Sequence, residues 1–156
     1  MSFIDKIFKC EKRRTIPDNW QMPVAGDIVS LDKVLDSAFA SGSLGAGFAI
    51  HAVGDEILSP VDGVVSELFS TLHAVFLLAD NGLEVLIHIG IDTVSLQGRG
   101  FTALVSQGEA VHVGQALVRV DWEVVKAAGL STLVPVIFTN APGQGVEVSQ
   151  KRPYFV

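Results

Sequence analysis

Short apolar runs separated by turn-forming residues fill the chain after Met22, and this pattern limits the fold more than any other feature. Runs of about five to eight residues rich in valine, isoleucine and leucine are typical of β-strands, whereas helices need longer periodic stretches. We predict strands that include residues 74–79, 84–91, 116–120 and 135–139. Only residues 122–128 carry a helical pattern, which Gly129 is expected to end. The sequence therefore predicts an all-β domain.

One motif occurs twice among these runs. Pro23-Val-Ala-Gly26 and Pro60-Val-Asp-Gly63 share the pattern Pro-Val-x-Gly, and they begin 37 residues apart. Apolar residues follow each copy. Repetition of a turn-and-strand unit indicates two related β units that pack against each other.

Length and composition exclude several classes of protein. The 156 residues are enough for one domain with a substantial core, and with 49% apolar and 18% charged residues intrinsic disorder is not expected. A long uncharged run, residues 37–54, contains four glycines and three serines, unlike the roughly 20 mostly apolar residues of a spanning helix. A single cysteine, Cys10, and the absence of a cleavable signal pattern lead us to expect a cytoplasmic location.

The first residues differ in charge from the rest of the chain. Residues 1–14 carry a net charge of +3 and the other 142 residues carry −9. Apolar side chains recur there at helical spacing, and they are Phe3, Ile4, Ile7 and Phe8. We therefore divide the chain into a basic amphipathic tail, residues 1–19, and a domain, residues 20–156. The tail would either lie on an anionic membrane surface or dock on the domain. The acidic domain favours a basic protein partner over nucleic acid.

Two histidines flank the strongest hairpin signal of the sequence. Apolar runs precede and follow Asp80-Asn81-Gly82, a triplet typical of a tight turn. A two-residue loop at 80–81 would place His73 directly opposite His88, and one at 81–82 would make them diagonal neighbours on one face. A three-residue loop would place them nominally on opposite faces. Contact between the two imidazoles therefore depends on the turn.

Side-chain alternation divides the strand that contains His88 into two faces. We predict that one set points into the core, namely Val85, Ile87, Ile89 and Ile91. The other set points outward, namely Leu86, His88, Gly90 and Asp92. Gly90 is expected to leave an open space beside His88 where a reacting group could approach. Imidazole is a nucleophile at neutral pH and can accept a phosphoryl group, while a second imidazole stabilises the product. Zinc also favours imidazole but needs three or four ligands.

A long run around these histidines resembles a known family. Residues 87–94 read Ile-His-Ile-Gly-Ile-Asp-Thr-Val and are followed by Leu96, Gly98, Gly100 and Phe101. This run is similar to the signature of the glucose-type IIA (EIIA) proteins of the bacterial phosphoenolpyruvate:sugar phosphotransferase system. Segments 60–63, 71–74, 111–114 and 131–136 extend the resemblance over roughly residues 22 to 140. It implies an antiparallel β-sandwich built as a barrel-like, duplicated hybrid motif.

The resemblance also implies roles for individual residues. His88 matches the phosphorylated histidine, His73 its supporting histidine, and Thr71 a hydroxyl that hydrogen-bonds within the pair. The implied protein is a phosphotransferase with a phosphohistidine intermediate, which accepts the group from phospho-HPr and passes it to the IIB domain of a IICB sugar permease. The resemblance also implies an apolar rim that docks partners, formed by Phe39, Phe69, Leu86 and Val94. It implies two carboxylates that meet arginines of HPr, those of Asp36 and Asp92.

Further properties follow only from the resemblance. It implies no required cofactor, although some members bind zinc through this pair, here His73 and His88, together with a partner's carboxylate. Some relatives also regulate permeases or kinases. The family's basic amphipathic N-terminus supports a membrane contact through residues 1–14, at the inner face.

Two alternatives stay open. His51-Ala-Val-Gly-Asp55 fits the H-x-x-x-D fragment of zinc peptidases on a related β fold, but the H-x-H of those enzymes reads His88-Ile-Gly90 here. The other alternative is a regulatory binding module without phosphotransfer.

Two segments depart from the family pattern. Gly45-Ala46-Gly47 replaces Gly-Asp-Gly near the partner face, and Ala52 replaces a proline. After Asn140 the sequence lacks the glycine-turn hairpin that most members carry. We therefore predict a missing terminal strand and an exposed sheet edge.

Overall fold

The computed structural model describes residues 15–141 and 145–156, so the predicted amphipathic segment 1–14 lies outside the described residues. The strands are β1 (Gly26–Ser30), β2 (Ala46–Ala52), β3 (Glu56–Leu58), β4 (Gly63–Leu68), β5 (Ala74–Ala79), β6 (Glu84–His88), β7 (Phe101–Ala103), β8 (Ala110–Val111), β9 (Ala116–Val120), β10 (Leu133–Phe138), β11 (Val146–Ser149) and β12 (Arg152–Phe155). The helices are α1 (Ser37–Ala40) and α2 (Trp122–Ala127), with 3₁₀ turns at Leu31–Lys33 and Thr93–Leu96.

The predicted all-β architecture is confirmed. Within the described ranges, seven strands form one sheet in the order β1-β2-β10-β6-β5-β4-β8, and β3-β9-β7 form a second. Every strand pair of both sheets is antiparallel. Strands β5 and β9 have the predicted bounds, and α2 ends before Gly129, whose φ of +75° suits a helix terminus.

The large sheet is apolar on both faces. Side chains from one face pack with those of the second sheet around Val85 and Ile87, whereas Leu86 joins a smaller cluster on the opposite face with Phe39. Burial of each such side chain stabilises the fold by about 1.5–3 kcal/mol. Strand alternation therefore places His88, two residues after Leu86, at the end of the smaller cluster.

The repeated Pro-Val-x-Gly motif begins two equivalent hairpins. Gly26 starts β1 opposite Ala52, and Gly63 starts β4 opposite Ala79. In both copies a Cβ atom on the glycine would overlap a carbonyl of the neighbouring strand. The two hairpins flank β10 and β6 in one sheet, which brings the duplicated units to either side of His88.

The terminal hairpin is present, so the predicted missing strand is wrong. β11 and β12 are joined by Gln150 and Lys151, whose φ angles of +50° and +61° suit the type I′ turn of a two-residue hairpin. Glycine or asparagine usually supplies these angles, and neither is present here. Val148 and Phe155 pack against the main core. The guanidinium of Arg152 donates to the carbonyls of Ile16 and Pro17 at 2.9 and 2.7 Å, which joins this hairpin to the start of the domain.

Candidate active site

His73 and His88 meet, although the hairpin loop has three residues. The register pairs Ala74 with His88, and Ala79 donates its N–H to Leu83 O, so residues 80–82 form the loop and both two-residue predictions are wrong. β5 begins only at Ala74, and the φ of +58° at Leu72 interrupts the strand alternation before His73. The two ring centroids lie 5.3 Å apart with 77° between the ring planes. The expected pairing of imidazoles is confirmed.

The backbone fixes the tautomer of His88. Its Nδ1 lies 2.6 Å from the carbonyl oxygen of Gly90. A carbonyl only accepts hydrogen bonds, so Nδ1 carries the proton and Nε2 carries the free lone pair. Burial lowers the pKa of His88, and the Gly90 hydrogen bond and the charges of Asp36 and Asp92 offset this only in part. The ring is therefore a neutral nucleophile at pH 7.

Gly90 does not leave the predicted open space. A Cβ atom there would lie 2.5 Å from Thr93 Cγ2 and 3.0 Å from Ser131 O. The φ of Gly90 is +78°, which L-residues with a side chain rarely adopt. The glycine thus permits a tight turn beside His88. Because this turn ends the alternation, Ile91 joins the smaller cluster with Leu86 rather than the main core, which corrects the prediction for it.

Thr71 and Phe69 hold the ring of His73. Thr71 Oγ1 lies 2.6 Å from His73 Nδ1, and the Phe69 and His73 ring centroids are 5.2 Å apart. Burial and the charge of His88 lower the pKa of His73. If the hydroxyl donates to Nδ1, the proton of His73 lies on Nε2.

The predicted apolar rim divides into a buried part and an exposed part. Phe39 and Leu86 retain only 4% and 6% of their accessible surface, and Phe39 contacts His88 edge-on with 4.9 Å between ring centroids. Phe69 is half-buried, and Val94 is 50% exposed. Leu35, next to Asp36, is fully exposed, and the sequence gives no sign of this because a single leucine forms no apolar pattern.

Of the two predicted carboxylates, Asp36 organises a loop beside the site. Asp36 accepts a hydrogen bond from the Ala38 N–H at 2.9 Å and caps α1, which carries Phe39. Asp92 is exposed, with a left-handed φ of +60°. Both charges favour the protonated form of His88. The site therefore presents negative potential around a neutral imidazole pair.

His51 and Asp55 lie elsewhere. They line a separate cavity of about 760 Å³ with Arg119 and Trp122. His51 Nε2 lies 3.4 Å from Thr132 Oγ1. No group of three or more His, Cys, Asp or Glu residues within residues 15–141 and 145–156 could hold a metal. The geometry therefore does not favour a zinc peptidase.

Comparison with known proteins identifies the family. The family model for the phosphoenolpyruvate-dependent sugar phosphotransferase system, EIIA 1, matches residues 19–143. The chain belongs to this EIIA family. A glucose-specific EIIA component of Staphylococcus aureus (strain COL) is 45% identical over 118 residues, which are 76% of this chain and 71% of that protein. One from Oceanobacillus iheyensis is 40% identical over 134 residues, 86% of this chain and 81% of that protein.

A multidomain relative and a solved structure agree with this assignment. The chain is 46% identical over 118 residues, 76% of its length, to a beta-glucoside-specific EIIBCA component of Bacillus subtilis (strain 168), but spans only 19% of that protein. Glucose permease IIA from Mycoplasma capricolum has the same fold, with a TM-score of 0.79, 39% identity and 88% coverage of both chains. This EIIA is a phosphocarrier in sugar phosphotransfer, as predicted. Among its described residues, no helix is long and apolar enough to cross a membrane.

Proposed function

We propose that Nε2 of His88 accepts a phosphoryl group from phospho-HPr and passes it to the IIB domain of a IICB sugar permease. One observation carries this proposal. The 2.6 Å hydrogen bond from His88 Nδ1 to the Gly90 carbonyl leaves the lone pair on Nε2, beside a second imidazole. A nucleophile needs that lone pair to attack phosphorus.

The surroundings of His88 suit the charge that develops during transfer. As Nε2 bonds to phosphorus, the bond between phosphorus and the donor side chain breaks, and its electron pair stays with the donor. His88 keeps its Nδ1 proton, so the ring becomes positively charged. The Gly90 carbonyl and the carboxylates of Asp36 and Asp92, which all favour the charged ring, stabilise it at that moment.

His73 is suited to hold the transferred group. With Thr71 as donor to Nδ1, the Nε2–H of His73 would donate to a phosphoryl oxygen on His88. In the second step a nucleophile of the IIB domain attacks phosphorus, and the electron pair of the broken bond returns to His88 Nε2. The chemistry then depends on positioning and charge stabilisation, which these residues supply.

Partner docking would use the exposed part of the rim. Leu35, Val94 and the half-buried Phe69 offer apolar surface, and Asp36 and Asp92 offer charges for a basic donor. Phe39 and Leu86 would support this surface from below. Regulated permeases or kinases, the membrane contact through residues 1–14 and the cytoplasmic location stay predictions.

Zinc at a partner interface also stays a prediction. His73 and His88 together supply two imidazoles, and a tetrahedral zinc ion would need the remaining ligands from a partner or from water. His88 Nε2 fits that use because its Nδ1 is already bonded to a carbonyl, the usual outer contact of a metal-bound histidine.

The test follows radiolabel from phosphoenolpyruvate through enzyme I and HPr to this protein and then to a IIB domain. We expect no label on His88→Ala, and on His73→Gln we expect label that is not handed on. His51→Gln, a histidine outside the site, should accept and transfer label like the wild type. Label on His88→Ala, or normal transfer by His73→Gln, would contradict the proposal.

A further inference from the structure

We infer that Thr93 is a positioning residue whose buried hydroxyl fixes the Ile89–Gly90 turn and thereby determines which nitrogen of His88 carries the proton. This inference rests on the proposed role of His88 Nε2. It concerns a side chain whose hydrogen bond goes to the backbone and to neither histidine.

Thr93 combines a polar side chain with complete burial. It retains none of its accessible surface. Its Oγ1 donates a hydrogen bond to the carbonyl of Ile89 at 2.5 Å, which satisfies both buried groups. Asp92 and Gln97, which flank the 3₁₀ turn of Thr93, both have positive φ angles, of +60° and +53°. The backbone thus adopts uncommon conformations on both sides of the residue that makes this bond.

The bond acts on the peptide unit that precedes the Gly90 carbonyl. The carbonyl of Ile89 belongs to the same planar unit as the N–H of Gly90. Fixing that plane leaves only the two torsions of Gly90 to aim the oxygen that accepts from His88 Nδ1. On the other side of Gly90, Ile91 donates its N–H to the carbonyl of Ser131 at 3.4 Å, which restrains the chain beyond the glycine. A glycine without these restraints would sample many orientations.

The same peptide run also sets the distance between the two imidazoles. Ile89 donates its N–H to the carbonyl of His73 at 2.7 Å, while its own carbonyl accepts from Thr93. Ile89 is therefore held from both sides, by His73 and by Thr93. Loss of the hydroxyl would leave the Ile89 carbonyl without its side-chain donor and loosen both the Gly90 oxygen and the His73 backbone.

Thr93→Val removes the hydroxyl and keeps the shape, and Thr93→Ser keeps the hydroxyl and removes the methyl group. Nitrogen-15 NMR of the imidazoles reports the tautomer of His88 without any phosphotransfer, so it separates this inference from the proposed function. We expect a mixed His88 tautomer in Thr93→Val, with kcat for label uptake lower by about tenfold to a hundredfold and KM for phospho-HPr unchanged. Thr93→Ser should keep the wild-type tautomer and a rate within about threefold, since it retains the hydrogen bond.

The matched control is Thr132→Val, which removes another buried hydroxyl, one that contacts His51. It should leave the His88 tautomer unchanged. A wild-type tautomer in folded Thr93→Val would overturn the inference, and so would equal losses in Thr93→Ser and Thr93→Val. If Thr93→Val does not fold, the wild type decides. A slowly exchanging Thr93 hydroxyl proton supports the inference, and one that exchanges at the rate of an exposed serine refutes it.

Discussion

Gly90→Ala tests the geometry beside His88 most sharply. The new Cβ would lie 2.5 Å from Thr93 Cγ2, where ordinary contacts begin at 3.4 Å, so one group must move by about 1 Å. Alanine at a φ of +78° adds about 1–2 kcal/mol of backbone strain. Overpacking of this kind adds about 1–3 kcal/mol. We expect the free energy of unfolding to fall by about 2–5 kcal/mol and the Tm by roughly 10 °C.

Gly108→Ala separates strain from overlap. Gly108 has a similar φ of +87°, but no atom lies within 4 Å of the position of its Cβ. Its substitution should therefore show the strain of about 1–2 kcal/mol alone. Urea unfolding of both variants gives the difference, and label uptake and the His88 tautomer show whether the Gly90 carbonyl has moved. Equal stabilities of the two variants, with an unchanged tautomer in Gly90→Ala, would refute the reasoning.

Three further perturbations test other parts of the molecule. The lowered pKa values of His73 and His88 mean that the unfolded chain binds protons more readily. The free energy of unfolding should therefore fall as the pH drops below the ordinary histidine pKa of 6.5. A double His73→Gln, His88→Gln variant should lose this dependence, and a variant whose free energy of unfolding changes with pH as steeply as that of the wild type would contradict the reasoning. Leu35→Ser should raise KM for phospho-HPr about tenfold if this side chain contacts the donor. The free energy of unfolding should not change, because the side chain is fully exposed. An unchanged KM would show that Leu35 is not part of the docking surface. Arg152→Met should speed hydrogen exchange in residues 16–20 and lower the free energy of unfolding by about 1–3 kcal/mol, with normal label uptake. Unchanged exchange would argue against the anchoring of residues 16 and 17 by Arg152.

The strands could be predicted because their signal is local. Apolar composition and flanking turn residues give the bounds of β5 and β9 without knowledge of any distant contact. The motif around His88 is also continuous in the sequence. Fold class and the identity of the two histidines can therefore be inferred from the amino-acid sequence alone.

Register and side-chain environment depend on features that local patterns do not contain. Asp80-Asn81-Gly82 is compatible with loops of two or three residues, and nothing in the sequence marks the left-handed φ of Leu72 that brings His73 to His88. The environment of Gly90 is set partly by Ser131, about 40 residues away along the chain. A glycine in a strand pattern signals either open space or close packing, and only tertiary contacts distinguish the two.

The burial of Phe39 and the terminal hairpin could not be predicted either, because both depend on tertiary contacts. Phe39 is buried because the capped helix α1 places it against Leu86 and His88, so a residue with an expected docking role lies beneath the surface. The final turn uses Gln150 and Lys151 at positive φ, which no propensity rule would select. Packing of Phe155 on the core and the bonds of Arg152 to residues 16 and 17 stabilise it.

The most direct test of the proposed phosphotransfer locates the phosphoryl group itself. The protein, labelled with nitrogen-15 in its histidines, is phosphorylated through phospho-HPr, and phosphorus–nitrogen couplings are measured by NMR. We predict one coupling, to Nε2 of His88, with Nδ1 still protonated and bonded to the Gly90 carbonyl. A phosphoryl group on Nδ1 of His88, or on His73, would contradict the proposed mechanism.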